Sequence, residues 1–374
     1  MDNKYRLLSL NKSSAFPLAN QLAQKLTWMI ASEIITEGET LPDIRTMGDF
    51  LGLHMHTIRA AYHLLEQHKM VTVKPRAGTV VQKYVPFLSQ LEPDIRHNGL
   101  IAVLIPEMSA FYNQIFKGIQ SVAEPEHFLP LAVSCGEDPY RAESIYADIS
   151  AGGFVGVINI SVGFPDTFYV DFHGDSFLNL PLVFVDDFNA TTHRVLINTA
   201  NAIQQATRHM LEHGYQNIVL LNCPLDWPIG FEVYQGYAAA LQNASLTPSP
   251  DRVYTVPDFT HSAGVFTANR ILQSSPLPRA IVCAGDELAL GAITAIHANG
   301  LSVPQDIAII GYNDIPISTS SRPGLSTIAL PALEIGAQAA RSLLKIINKE
   351  TRTWESHAFS GKLVLRESCG CINK

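Results

Sequence analysis

Leu41-Pro42-Asp43-Ile44-Arg45-Thr46-Met47-Gly48-Asp49-Phe50-Leu51-Gly52-Leu53-His54-Met55-His56-Thr57-Ile58-Arg59 reads as two short helices about a tight turn. Asp43 stands where a helix N-cap is wanted, since a carboxylate accepts from the free N–H groups of a first helical turn. Gly52 makes the turn. A second helix follows over about Met55–His68, with Ile58, Ala61, Tyr62 and Leu65 on its inner face.

The same pattern extends both ways. Upstream, Leu18, Leu22, Leu26, Met29 and Ile30 recur at helical spacing within Phe16–Thr36. Downstream, Val71-Thr72-Val73 and Thr79-Val80-Val81 alternate about Pro75-Arg76-Ala77-Gly78, the pattern of a two-stranded wing. Residues 1–83 are therefore expected to form an α+β winged helix-turn-helix. Such a unit sets its second helix in the major groove of double-stranded DNA, where base edges are chemically distinct. His54, His56, Thr57 and Arg59 occupy the exposed side near the start of that helix. Arg45, Lys74 and Arg76 are placed to meet phosphates, with Gly78 and Thr79 on the wing beside them. Phosphate contacts set register and give salt-dependent affinity without sequence information. His54 and His56 have the spacing of a metal pair, but no Cys or acidic ligand completes it, so no metal is expected there.

Charge follows the same division. Of 374 residues, the first 85 hold ten Lys/Arg and seven Asp/Glu; the remainder holds 16 against 27. A basic reader on an acidic body has this asymmetry. The composition, 47% apolar and 16% charged, excludes a largely disordered chain. No apolar run approaches the roughly 20 residues of a membrane span, and Met1–Leu10 lacks the pattern of a secretory signal. Five scattered cysteines read as reduced thiols, so a cytoplasmic location is expected. Cys369-Gly370-Cys371 has no second cysteine pair and reads as a reduced terminus; neither metal nor cofactor is expected.

Tyr84–Asn98, with Pro86 and Pro93, has no sustained period and reads as a linker. From Gly99 onward, short β-branched runs such as Leu100–Ile105, Val155–Ile160, Leu182–Val185, Ile218–Leu221 and Ala280–Ala284 alternate with helical stretches. Near-continuous apolar strands linked by helices imply parallel sheets covered on both faces. Residues 99–374 exceed one such sheet, so two α/β lobes are expected: lobe one over about 99–193 and 331–352, lobe two over about 194–330 and 353–374. Ligands of such folds bind beyond the C-terminal strand ends and in the cleft between lobes. The candidates there are Phe111, Tyr112, Asn159, Phe259, Asp286, Asn313 and Asp314. Phe111 and Phe259 also fit a core role, Asp286 a helix cap, and Asn313 and Asp314 a loop-shaping role.

Two family resemblances follow from these residues. Phe16-Pro17-Leu18, Leu41-Pro42-x-x-Arg45, Leu51-Gly52 with Thr57-Ile58-Arg59, and Gly78-Thr79-Val80-Val81 resemble the winged-helix domain of the GntR family. The resemblance implies DNA contacts at Arg45, Thr57, Arg59 and Gly78. The family commonly has Ser-Arg where this chain has His54-Met55, and Gly where it has Arg76. Ile101–Pro106, Pro181–Asp186, His213-Gly214-Tyr215, Ala284-Gly285-Asp286, Val303–Tyr312 and Leu363–Cys369 resemble the LacI/GalR effector domain. That implies a two-lobed, periplasmic-binding-protein-like type I fold, a homodimer, and a small-molecule effector, a sugar or sugar derivative. The joined arrangement is similar to bacterial arabinose repressors. Val233, Gly285 and Asn313 stand where the resemblance implies Arg, Asn and Asp, which reduces fixed charge in the cleft.

The expectation is a DNA-binding, ligand-responsive transcription regulator, a repressor of a carbohydrate-utilisation operon. The rival reading is a solute-binding protein without direct gene regulation. An enzyme is disfavoured. No phosphate-binding loop, dinucleotide fingerprint or nucleophile elbow is present, and Gly152-Gly153-x-x-Gly156 precedes its strand instead of following it.

Overall fold

A computed structural model describes residues 3–8, 10, 12, 17–74, 78–83, 98–136, 145, 148–149, 152–160, 180–187, 193–350 and 355–371. The expected linker, apart from Asn98, and Arg76 lie outside the described residues.

The N-terminal unit contains helices α1 (Leu18–Ala31), α2 (Ile44–Leu51) and α3 (Met55–Gln67), then strands β1 (Val71–Lys74) and β2 (Gly78–Val81). Asp43 caps α2 as its chemistry demands, accepting from the Arg45 and Thr46 N–H groups at 3.0 and 2.9 Å. Gly52 ends α2 in the left-handed conformation, at φ 61°. Leu22, Leu26, Met29, Met47, Ile58 and Leu65 are fully buried in one core that joins the three helices. Tyr62 pins α3 to the head of α2, its hydroxyl donating to the Pro42 carbonyl at 2.7 Å. β1 and β2 pair antiparallel, Val71 opposite Val81. Residues 38–41 add to the free edge: Leu41 N–H donates to the Thr79 carbonyl at 2.8 Å, and Val81 N–H to the Glu39 carbonyl at 2.8 Å. The wing is thus anchored on both sides.

The described residues of the body form two six-stranded sheets. The first begins with β3 (Gly99–Ile105), α4 (Ala110–Ala123), β4 (Phe128–Ser134), β5 (Phe154–Ile160), β6 (Leu182–Val185) and β7 (Arg194–Ile197). The chain then builds the second lobe from α5 (Thr199–Glu212), β8 (Ile218–Asn222), α6 (Pro228–Asn243), β9 (Val253–Thr255), α7 (His261–Ile271), β10 (Ala280–Cys283), α8 (Asp286–Ala298), β11 (Ala308–Asn313), α9 (Pro316–Ser320) and β12 (Thr327–Ala329). It returns through α10 (Ala332–Ile347) and β13 (Ser356–Phe359) to the first lobe and ends with β14 (Lys362–Val364) in the second. The sheet orders are β13-β7-β6-β5-β3-β4, all parallel, and β14-β12-β11-β10-β8-β9, parallel but for β14. Every side chain of β6, β8 and β10 is buried, as strands covered on both faces require.

The pairing moves the expected lobe boundary. Arg194–Ile197 and Ser356–Phe359, expected in lobe two, pair with each other, and β7 also pairs with β6, inside the first sheet. Both are four-residue strands that alternate exposure, too short to outweigh the helical pattern beside them. The chain therefore changes lobe at Asn198, between Ala329 and Ala332, and between Phe359 and Lys362. Two of these crossings are tied together: Asn198 N–H donates to the Phe359 carbonyl at 2.8 Å, and its side-chain amide to Ser360 Oγ at 2.9 Å. On the first lobe, α4 and α10 meet backbone to backbone. A Cβ at Gly118 would collide with the Leu333 carbonyl, and one at Gly336 with that of Ile115.

Candidate ligand cleft and nucleic-acid interface

A cavity of about 220 Å³ lies between the lobes, beyond the C-terminal ends of β3, β6, β10 and β11. That is the position the parallel topology dictates. The first turn of α4, whose Ser109 hydroxyl accepts from the Tyr112 N–H at 3.3 Å, supplies Phe111 and Tyr112. The opposite lobe supplies Phe259, Trp227 and Tyr312. Phe259 sits where a Cβ on Gly285 would come within 3.2 Å of its ring, so glycine at 285 makes room for the aromatic face.

The polar lining is acidic. Glu107, Asp186 and Glu287 contribute carboxyl groups, and no Lys, Arg or His is among the lining residues described. Burial pushes the Asp186 carboxyl up to about 7, against a hydrogen bond from the Ile197 backbone, with the Glu232 and Asp187 charges adding to the rise. Its Oδ1 is buried without a hydrogen-bond partner among the described residues. Burial also raises Glu107, assisted by the charges of Asp258 and Glu287. Tyr312 is buried near Asp186 and shares a 2.8 Å hydroxyl–hydroxyl hydrogen bond with Thr199, the first residue of α5.

Five of the seven residues expected from the sequence converge here: Phe111, Tyr112, Phe259, Asp286 and Asn313. Two do not. Asn159 is only 1% exposed, within β5 between β3 and β6, and is absent from the lining. Asp314 lines a neighbouring depression with Asn313 and Gln114, and its carboxylate is held by Arg366 Nη2 at 2.8 Å. Asp286 reaches the wall, and its side chain bonds to the loop and strand that follow β11 instead of capping α8. Its Oδ1 accepts from Thr327 Oγ1 at 2.6 Å, and its Oδ2 from Ser318 Oγ at 2.7 Å and Ile315 N–H at 2.9 Å. Asn313 differs again. It holds φ at 112°, and its Oδ1 is buried without a partner among the described residues. A strained residue with an unused acceptor in a cleft wall is the pattern of a ligand contact.

Glu107, Asp186, Trp227 and Tyr312 join the lining without having been expected there. The rule that sites follow strand ends reaches Asp186, directly after Leu182–Val185, and Glu107, two residues after β3. Trp227 sits at the head of α6, and no local signal marks it. Val233, where an Arg was implied, is fully buried in the core and is not among the described lining residues of the cavity.

On the N-terminal unit, Arg45, His54, His56, Arg59 and Lys74 are all exposed, Thr57 and Thr79 half-buried. His54 stands at the N-cap of α3, yet its side chain makes no capping bond. Met55, not anticipated, is 54% exposed between the two histidines. Gly78 opens β2 at φ 83°, a conformation an L side chain rarely adopts, and a Cβ there would press on Thr40 Cγ2 at 3.1 Å.

Comparison with known proteins bears on both units. Residues 18–81 match the family described as bacterial regulatory proteins, gntR family, and residues 207–369 match the periplasmic binding protein-like domain. A segment similar to the gntR family thus precedes one similar to the periplasmic binding protein-like domain. The gntR match covers α1 through β2, and the body match runs from within α5 to the buried Cys369. The HTH-type transcriptional repressor PurR of Actinobacillus pleuropneumoniae is 34% identical over 200 residues, 52% of this chain and 59% of that protein. The chain thus spans about three fifths of that relative's length. The ribose operon repressor of Haemophilus influenzae is 25% identical over 332 residues, 86% of this chain and 98% of that one. The solved transcriptional regulator CelR–cellobiose complex shares the fold at TM-score 0.67 and 22% identity, covering 88% of this chain and 100% of that one. The two relatives are named as regulators of transcription, and no described helix is long and apolar enough to cross a membrane.

Proposed function

We propose that this chain is a ligand-responsive, DNA-binding transcription regulator: a cytoplasmic homodimer, without enzymatic activity, that represses a carbohydrate-utilisation operon. The observation that carries it is the pairing of a gntR-type reader, with its exposed Arg45, His54, His56 and Arg59, with a two-lobed body enclosing an aromatic cavity. The ribose operon repressor and the cellobiose-bound regulator support a sugar as the effector class. Cleft chemistry narrows that class. Aromatic faces stack on the apolar side of a sugar ring, and Asp186, Glu107 and Asn313 accept from its hydroxyls. With carboxyl groups and no cation among the described lining residues, a phosphorylated or otherwise anionic sugar is disfavoured, because its charge would be buried beside like charges.

Closure of the lobes on the ligand turns one against the other about the Asn198–Ser360 crossing. Residues 84–98 carry that change to the spacing of two readers on a two-fold operator. A coupling of about 1–3 kcal/mol changes DNA affinity roughly 5- to 150-fold. The test is a fluorescence-anisotropy titration of the chain against DNA from upstream of its own gene at two salt concentrations. A specific complex that weakens steeply with salt is the expected result. Absence of any such complex, with and without sugars, returns the chain to the solute-binding reading.

A further inference from the structure

Helix α5 carries His209 in its last turn and is followed at its C-cap by His213, and the chain end brings Cys369 and Cys371 against them. Sequence separation hid this meeting, because the cysteines lie about 160 residues beyond the histidines. His209 Nε2 lies 3.4 Å from Cys369 Sγ and 3.4 Å from Cys371 Sγ, and His213 Nε2 lies 3.2 Å from Cys371 Sγ. Sulfur and nitrogen donors bound to one tetrahedral zinc, at about 2.3 and 2.0–2.1 Å, stand roughly 3.5 Å apart. Three donors, His209 Nε2, Cys369 Sγ and Cys371 Sγ, thus already sit close enough together for one ion, and His213 Nε2 approaches them from the Cys371 side.

The surroundings hold this arrangement. Cys369 is fully buried, and His209 nearly so, while Cys371 and His213 face outward, which leaves a route of entry. Gly370, at φ 88°, reverses the chain between the two sulfurs, and a Cβ there would meet the Tyr215 hydroxyl at 2.8 Å. Tyr215 stacks near His213 and donates to the Cys369 carbonyl at 3.5 Å. Ser368 is fastened on both sides, accepting from Ser326 N–H at 2.8 Å and donating to the Ile309 carbonyl at 2.8 Å. None of the four donors lines the cleft between the lobes.

We propose that His209, His213, Cys369 and Cys371 form a Cys₂His₂ site for one zinc ion, which pins the chain end to α5. Two imidazoles and two thiolates are a borderline-soft set, and tetrahedral S₂N₂ geometry selects zinc over the oxygen-seeking cations. Coordination displaces the thiol protons to solvent and forms two Zn–S and two Zn–N bonds without change of oxidation state. The site does not depend on the effector or the operator, so it stands or falls apart from the proposed regulation.

The test is metal analysis of the full chain, purified under reducing conditions without an affinity tag that binds metal, followed by replacement with Co²⁺. The expected result is one zinc per chain, and a cobalt form with thiolate-to-metal charge-transfer bands and intense tetrahedral d–d bands. Chelation should lower Tm. His213→Ala, at an exposed position, should weaken retention of the ion while circular dichroism stays native; Cys369→Ser with Cys371→Ser should abolish it. A reduced, folded chain that takes up no zinc at micromolar concentration would overturn the proposal. So would a cobalt spectrum without thiolate bands, zinc retained in the double-serine variant, or a Cys369–Cys371 disulfide that persists under reducing conditions.

Discussion

Thr327 Oγ1 donates a 2.6 Å hydrogen bond to Asp286 Oδ1, and this buried contact binds the start of β12 to the head of α8. With the bonds from Ser318 and Ile315, it makes Asp286 the post on which the loop after β11 is hung, directly beyond Asn313 in the cleft wall. Asp286→Ala leaves two hydroxyls and an N–H unpaired in the interior. It should cost about 3 kcal/mol, read as a fall in Tm, with effector affinity lost as the loop loosens. A variant with unchanged Tm and selectively lost ligand would return Asp286 to the role of direct contact.

Acidity in the cleft predicts a pH dependence of stability. Burial holds Asp186 up at about 7 and Asp286 at about 6, both above the ordinary value near 3.9. A carboxyl raised in the folded state contributes stability that is full below its unfolded pKa and lost as pH rises through the folded one. Between pH 5 and about 8 these two acids therefore make the protein less stable as pH rises. Asp186→Asn should flatten that slope and stabilise the chain at pH 8, measured by urea unfolding at both ends of the range. An unaltered slope would show that Asp186 titrates normally.

The lining also predicts which effectors succeed. In a thermal-shift screen, neutral sugars should raise Tm, and the corresponding sugar phosphates should not; saturation at 100 times Kd stabilises by about 2.7 kcal/mol. Phe259→Ala should weaken the response to the successful sugar by about 1–3 kcal/mol through loss of the stacking face. Equal shifts from a sugar and its phosphate would refute the reading of the cleft.

On the reader, Arg59→Ala should reduce specific DNA binding by about 1–3 kcal/mol and relax discrimination among operator variants. Uniform weakening on all sequences would make Arg59 a phosphate contact. Unchanged anisotropy curves would remove it from the interface.

The fold was largely legible because its signals are local. Asp43, Gly52 and the Ile58–Leu65 face define the reader within 30 residues, and the longer strands of the body announce themselves as buried runs. What was not legible depends on partners distant in sequence. Arg194–Ile197 becomes a strand of the first lobe because it pairs with Leu182–Val185 on one side and Ser356–Phe359, some 160 residues on, returns along the other. The internal bonding of Asp286 could not be read locally, because its three hydrogen-bond donors lie 29 to 41 residues away. His209 and Cys369 carry no mutual signal at all until α5 and the chain end meet. Asp186 and Glu107 lay within reach of the strand-end rule.

The regulatory claim is tested most directly by isothermal titration of the effector into the chain, free and bound to its operator. Linkage requires DNA to change effector affinity by the same factor by which effector changes DNA affinity, roughly 5- to 150-fold. Matching factors within that range are the expected result. Identical effector affinities with and without operator would contradict the coupling of cleft to reader.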